Sequence, residues 1–267
     1  MRRGRRAGRD VISARLNAER IVLLGWSRAI LLQLTHPLVA AGVADHSTFR
    51  AGRWTAAARL HHTVHAMLSL TFGSDAARDA TLAQINGIHK RVNGTLREDT
   101  GVFTAGTPYS AEDPQLLLWV HATLLESIPL VYDRLVAPLS EPDKDRYCVE
   151  AVPIVRALGV PAGEPRSWRE MRAYVDGMYA SGRIAVSREA RELSDAVLAP
   201  PFAIAIAPAA RVNRLFTVGL LPPTVREQYG FRWTASDERA LERWTRFLRR
   251  VRPWLPDRLA LWREARS

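Results

Sequence analysis

The chain has 267 residues, 47% of them apolar, and a formal net charge of +11. That is enough apolar material for a large core in one or two domains. A single cysteine, Cys148, excludes an intrachain disulfide and a cysteine-built zinc or iron–sulfur centre. All basic residues except Lys90 and Lys144 are arginine, spread from Arg2 to Arg266; a nucleic-acid binder gathers its charge on one element, so no nucleic-acid partner is expected.

Residues 1–10 hold Arg2, Arg3, Arg5, Arg6 and Arg9 and read as a disordered basic N-terminus. The Arg2-Arg3 pair lacks the apolar stretch of an export signal, because Asp10, Arg15, Glu19 and Arg20 interrupt it; a cytoplasmic location is expected. Helical periodicity runs over residues 11–34, with Pro37 at a break or first turn. Further helices are predicted over 55–70 and over 75–92, the latter capped by Ser74. Residues 93–108 carry Gly94, Gly101 and Gly106 and read as loop, with a short hairpin around 101–104. Ser110 to Glu112 is expected to open the next helix, with Asp113 and Pro114 suited to its first turn and its end at about Leu135. Ser140 with Asp143 opens the next, which ends at Leu158-Gly159 before Pro161. The remaining helices are predicted over 167–180, 187–198, 203–220, 235–251 and 256–265, with a turn at Pro222-Pro223. No period-2 run of any length appears, so the expected fold is all-α, a single multi-helix domain spanning 1–267. No apolar run is long enough for a bilayer span: 29–44 contains Gln33, His36 and Pro37, and 196–210 contains Pro200, Pro201 and Pro208.

All seven histidines lie between His36 and His121. His121 follows Leu116, Leu117, Leu118, Trp119 and Val120, with no charge between Asp113 and Glu126. An imidazole there has lost water and needs a partner, either a backbone carbonyl or a metal such as a haem iron. His61, His62 and His65 share one helix, with His61 and His65 four apart, yet no carboxylate is near to complete a closed site. His36 and His46 stand among small residues, Ala40, Ala41, Gly42 and Ala44, a composition that suits close helix packing or the approach of a flat ligand. No histidine has Glu three residues before it, and neither HExxH, a Gly-x-Ser-x-Gly elbow nor a phosphate loop occurs. Di-iron carboxylate, zincin and hydrolase chemistry are thereby disfavoured.

Three segments taken together resemble the MpaB-type oxygenase family, which includes a fungal oxygenase of mycophenolic acid biosynthesis and a bacterial rubber oxygenase. They are Gln33-Leu-x-His36-Pro37 through Gly42-Val43-x-x-His46-Ser47-x-Phe49, then Arg59-x-x-x-Thr63, then Asp113-Pro114 leading to Trp119-Val-His121-Ala-Thr123. The resemblance implies an all-α fold enclosing a haem b pocket, with His121 as the proximal iron ligand and Arg59 and Thr63 lining the pocket. Rubber oxygenases carry a lysine just before that threonine; His62 stands there in this chain and becomes the candidate distal iron ligand. His36 and His46 are further cofactor-binding candidates. The implied activity is that of a haem-dependent oxygenase using dioxygen or peroxide on a hydrophobic small molecule. The competing readings are a non-catalytic haem carrier or gas sensor, with His62 and His121 as both axial ligands, and a helical interaction module without haem.

Overall fold

The computed structural model describes residues 11–46, 53–198 and 207–266, and of residues 53–61 and 207–209 only the backbone. The predicted continuous helix over 11–34 is broken. Helix α1 (Ile12–Asn17) stops before Glu19, whose backbone is extended and bridges Leu261; a 3-10 turn (Arg20–Val22) then leads into α2 (Leu23–Leu34). The cause is electrostatic. The Glu19 carboxylate is buried and accepts from Arg252 Nε at 2.7 Å and Nη2 at 2.5 Å, a partner 233 residues away that no local period reveals. Helix α3 (Pro37–His46) turns by 105° from the preceding helical segment, with Pro37 at its first position, where a missing N–H costs nothing.

Helix α4 (Arg53–Phe72) is followed by α5 (Asp75–His89), whose Ser74 cap accepts the Ala77 N–H. The segment predicted as loop is a hairpin. Its ends pair as β1 (Asn93–Thr95) with antiparallel β2 (Pro108–Ser110), and Gly94 faces Tyr109. Its tip folds back at Thr100 and Phe103, around Gly101 at φ +60.

Helix α6 (Pro114–Leu135) is opened by Asp113, which accepts the Gln115 N–H. Then come α7 (Glu141–Ala157), α8 (Trp168–Ala180), α9 (Arg188–Leu198), α10 (Ala207–Gly219), α11 (Pro223–Tyr229), α12 (Ala235–Val251) and the short α13 (Asp257–Ala260). The chain is predominantly helical, as the periodicity predicts. The predicted helix over 256–265 is reduced to α13 and a 3-10 turn (Glu264–Arg266), and α11 is an additional helix in the proline-marked turn.

Helix α6 is the axis. It packs against α2, α7, α8 and α12. At 22 residues, about 33 Å, it has the length and apolarity of a bilayer span, which the sequence pattern alone does not pick out; here 67% of its apolar window is buried by protein. Helix α2 runs antiparallel to it, since Gly25 meets Ser127, Arg28 meets Glu126, and Gln33 reaches the Val120 carbonyl. The approach at Gly25 is close. A Cβ there would lie 2.8 Å from the Ser127 carbonyl oxygen and 3.2 Å from Val131 Cγ2. Gly25→Ala is therefore expected to destabilise by about 1–3 kcal/mol through overpacking. Gly87→Ala, in α5 with nothing within 4 Å of its Cβ, is expected to stabilise by about 0.5–1 kcal/mol. Urea midpoints of the two variants measured side by side check the opposite signs.

Candidate functional site

Helix α6 carries His121 on a face whose composition decides its chemistry. Leu117 and Leu118, one turn earlier, pack with Val155 and Val160; Leu124, one turn later, packs against the main core, as do Val64 and Met67 of α4 and Val39 of α3. The His121 ring is half-buried, and the described residues give it no hydrogen bond. Loss of hydration pulls its pKa down to about 4, so the imidazole is neutral at physiological pH. The carboxylate of Glu164 opposes that shift without overcoming it. Glu164 lies four residues beyond Val160 and its side chain is fully enclosed. Burial pushes its carboxyl pKa up, but its own backbone N–H, Arg156 at 2.9 Å and Arg166 at 3.3 Å outweigh this and keep it below the usual range. Its Oε2 has no hydrogen-bond partner among the described residues.

The other sequence candidates are distributed around this helix. His36 lies at the end of α2, buried against Phe103 of the hairpin tip with ring centroids 5.1 Å apart. Its Nδ1 is enclosed without a partner. Burial first, and the Arg183 charge second, lower its pKa to about 4 against the pull of Asp113. Asp113 precedes α6, so His36 faces the N-terminal end of that helix, and Asp113 is eight residues, about 12 Å of helix, before His121. His46 is elsewhere again: exposed at the end of α3, its Nε2 lies 2.9 Å from the Asn93 carbonyl, and its ring meets Tyr109 edge-on at 6.3 Å. On α4, Val64 and Met67 face the core, whereas His62 and Thr63 are exposed. The side chains of Arg59 and His61 lie outside the described residues. Among the described residues, no three His, Cys, Asp or Glu side chains gather as a metal site.

Three further residues bear on the surroundings of His121, and of these only Glu164 was missed by the sequence reading. Gln33 donates at 3.4 Å to the Val120 carbonyl, as does Thr123 Oγ1 at 2.7 Å, fixing the turn that precedes it. Glu164 sits between Gly163 and Pro165 with no motif to mark it. The donor set near His121 is thus a single neutral imidazole on an apolar helix face. That suits a cofactor that brings its own equatorial ligands and needs one axial nitrogen.

A sequence profile described as "ER-bound oxygenase mpaB/B'/Rubber oxygenase, catalytic domain" matches residues 14–250. The chain belongs to this family. It carries an oxygenase-type catalytic domain. Comparison with curated proteins and with solved structures gives no match.

The pH dependence of folding follows in part from His36 and His121. Each titrates near 6.5 when unfolded and at about 4 when folded. Between those values the unfolded chain binds more protons, so this contribution is fully present above 6.5 and falls as pH drops toward 4. Asp143, lowered from 3.8 to about 2 mainly by its hydrogen bond from Arg146, acts in a separate and more acid window. Urea midpoints should drop between neutral pH and pH near 4, and His36→Leu should flatten that slope.

Proposed function

We propose that this protein is a haem b-dependent oxidoreductase, an oxygenase that acts on a hydrophobic small molecule with dioxygen or peroxide. The observation that carries the reading is His121: a neutral imidazole, without a hydrogen bond among the described residues, on the apolar face of the axial helix. When bound, a haem would supply an iron centre for activating the oxidant. Everything else falls to the chain. His121 would hold the group through a ring nitrogen, and its depressed pKa keeps that nitrogen unprotonated across the working range. Glu164 places a fixed negative charge near the ring, which favours electron donation from the imidazole. Leu117, Leu118 and Leu124 exclude water from the same face. On α4, Arg59 is assigned to a propionate carboxylate, which a guanidinium binds bidentately, with Thr63 one turn later. The place of His62 just before Thr63 makes it the side chain to test for a distal role. His36, enclosed at the far end of α6, is assigned to support that end.

The absorption spectrum of protein purified from haem-replete cells tests the reading. A Soret band at near-stoichiometric haem is expected, and colourless, folded protein that takes up no added haemin overturns it. Turnover of an apolar substrate with reductant and dioxygen, or with peroxide, then separates an oxygenase from a haem carrier.

A further inference from the structure

The C-terminal part of the chain presents a surface that the proposed chemistry does not use. Helix α12 has two apolar stripes. One is covered: Leu241 is buried with Phe216, Leu220, Val131 and Leu135, and Leu248 packs beside them. The adjacent stripe, Ala240, Trp244, Phe247 and Val251, follows a 4-3-4 spacing; its ends are partly buried and its two aromatic residues are exposed. Trp244 is 38% exposed and Phe247 53%, their rings edge-to-face at 5.6 Å. Beyond the helix, Trp254 is 85% exposed, Leu255 38% and Leu259 58%. These five are the majority of the nine large exposed apolar side chains among the described residues.

This exposure is not that of a loose end. Arg252 is held by Glu19, the Leu261 carbonyl accepts from Arg20 Nε at 3.0 Å, and Arg20 lies over the Trp262 ring at 5.2 Å. Trp254, Leu255 and Leu259 therefore project between two anchored points.

The charge beside the apolar stripe is mainly positive, with Asp237 at the cleft and Asp257 as its acidic exceptions. Arg239, Arg243, Arg246 and Arg250 repeat at the same 4-3-4 spacing and form an exposed row along its open flank. None of the four makes an ion pair among the described residues, although arginines elsewhere are widely paired. Glu238 and Glu242 fall on the far side of that row by helical register. Next to the stripe, Arg211, Arg214 and Arg232 rim a cleft of about 520 Å³ whose floor includes Leu215, Trp233 and Trp244.

We propose that this face docks the protein peripherally on an anionic lipid surface, with Trp244, Phe247, Trp254, Leu255 and Leu259 entering the interfacial layer and the arginine row meeting the headgroup phosphates. Tryptophan, phenylalanine and leucine beside a row of unpaired arginines is the pattern of an interfacial helix. Charge complementarity selects this occupant. A second copy would bring two arginine rows together, and a nucleic acid would leave Leu255 and Leu259 without an apolar partner. The inference is independent of the haem assignment and is read without it.

Co-sedimentation with phosphatidylcholine vesicles containing or lacking phosphatidylserine tests it. The protein is expected to pellet with the anionic vesicles at low salt, and far less with neutral vesicles or at high salt. R243Q/R246Q/R250Q is expected to lower partitioning by about a hundredfold, and W254Q/L259Q by about tenfold. Both sets alter exposed side chains, so circular dichroism should be unchanged. The variants also separate this face from Arg2, Arg3, Arg5, Arg6 and Arg9, which could themselves draw the protein to anionic vesicles. Absence of vesicle binding, or binding that neither variant weakens, overturns the proposal. So does a dimer, or binding to an oligonucleotide, that these substitutions abolish while vesicle binding is absent.

Discussion

His121→Ala is expected to yield a folded helical protein that no longer retains haem. The ring contributes the one neutral nitrogen available on the apolar face of α6, and no described side chain stands behind it as a replacement. Loss of a residue that merely orients a metal ligand costs about 10- to 100-fold in affinity, so loss of the ligand itself should cost on the order of a hundredfold or more. The structural cost is smaller. The ring is half-buried and unbonded, so truncation leaves a cavity but no orphaned partner. Haem titration monitored at the Soret band, alongside circular dichroism, separates these effects. Added imidazole should restore part of the spectrum by filling the space left by the ring. A variant with the wild-type haem content and an unchanged spectrum would show that His121 is a core histidine.

The second large effect concerns a buried charge network five residues further along the same helix. Glu126 accepts from Arg28 Nη1 at 3.0 Å and also from Arg172. Arg28 further donates to Ser127 Oγ at 2.6 Å and, through Nε, to the Leu220 carbonyl at 2.7 Å. Its side chain is 3% exposed and that of Glu126 6%. One guanidinium thus joins α2, α6 and the end of α10. Glu126→Ala leaves that cation enclosed and uncompensated, and should destabilise by about 3–5 kcal/mol. Replacing both partners with apolar residues of similar volume, Arg28→Met with Glu126→Leu, should recover much of the loss, because desolvation of the pair offsets most of its attraction. Arg172, 42% exposed, keeps Asp176 as a partner in either case. Chemical denaturation of the single and double variants checks the order. A Glu126→Ala protein as stable as the wild type would place the network among surface ion pairs of little weight.

These residues mark what was legible in the sequence. Helix starts are local chemistry, so Ser74 and Ser140 could be read as caps, and each side chain accepts a hydrogen bond from the expected turn; Asp113 and Ser167, read as lying inside their helices, cap them instead. The stop at Leu158-Gly159 was equally local, with Gly159 at φ +110. The break at Glu19 was not legible, because the charge that holds it open is on Arg252. Arg28 was one arginine among many, and only the fold shows that it is buried. The apolar setting of His121 was visible in its neighbours, whereas Glu164 reaches it from a loop that carries no periodic signal. Arg59 was singled out by the family resemblance, but its side chain lies outside the described residues.

The Glu19–Arg252 contact also bears on the order in which the molecule is assembled. A chain made from its N-terminus completes α1 and the 3-10 turn long before residue 252 exists. Until then the Glu19 carboxylate has no guanidinium to meet, and the backbone around it has no Leu261 to bridge. The first turns of the protein therefore reach their final form among the last. Contacts of such long sequence separation slow folding, since the loop between them must be closed first. A nascent chain stalled short of residue 252 would hold its N-terminal helices in a protease-sensitive state, and release of the final segment would lock both ends in one step.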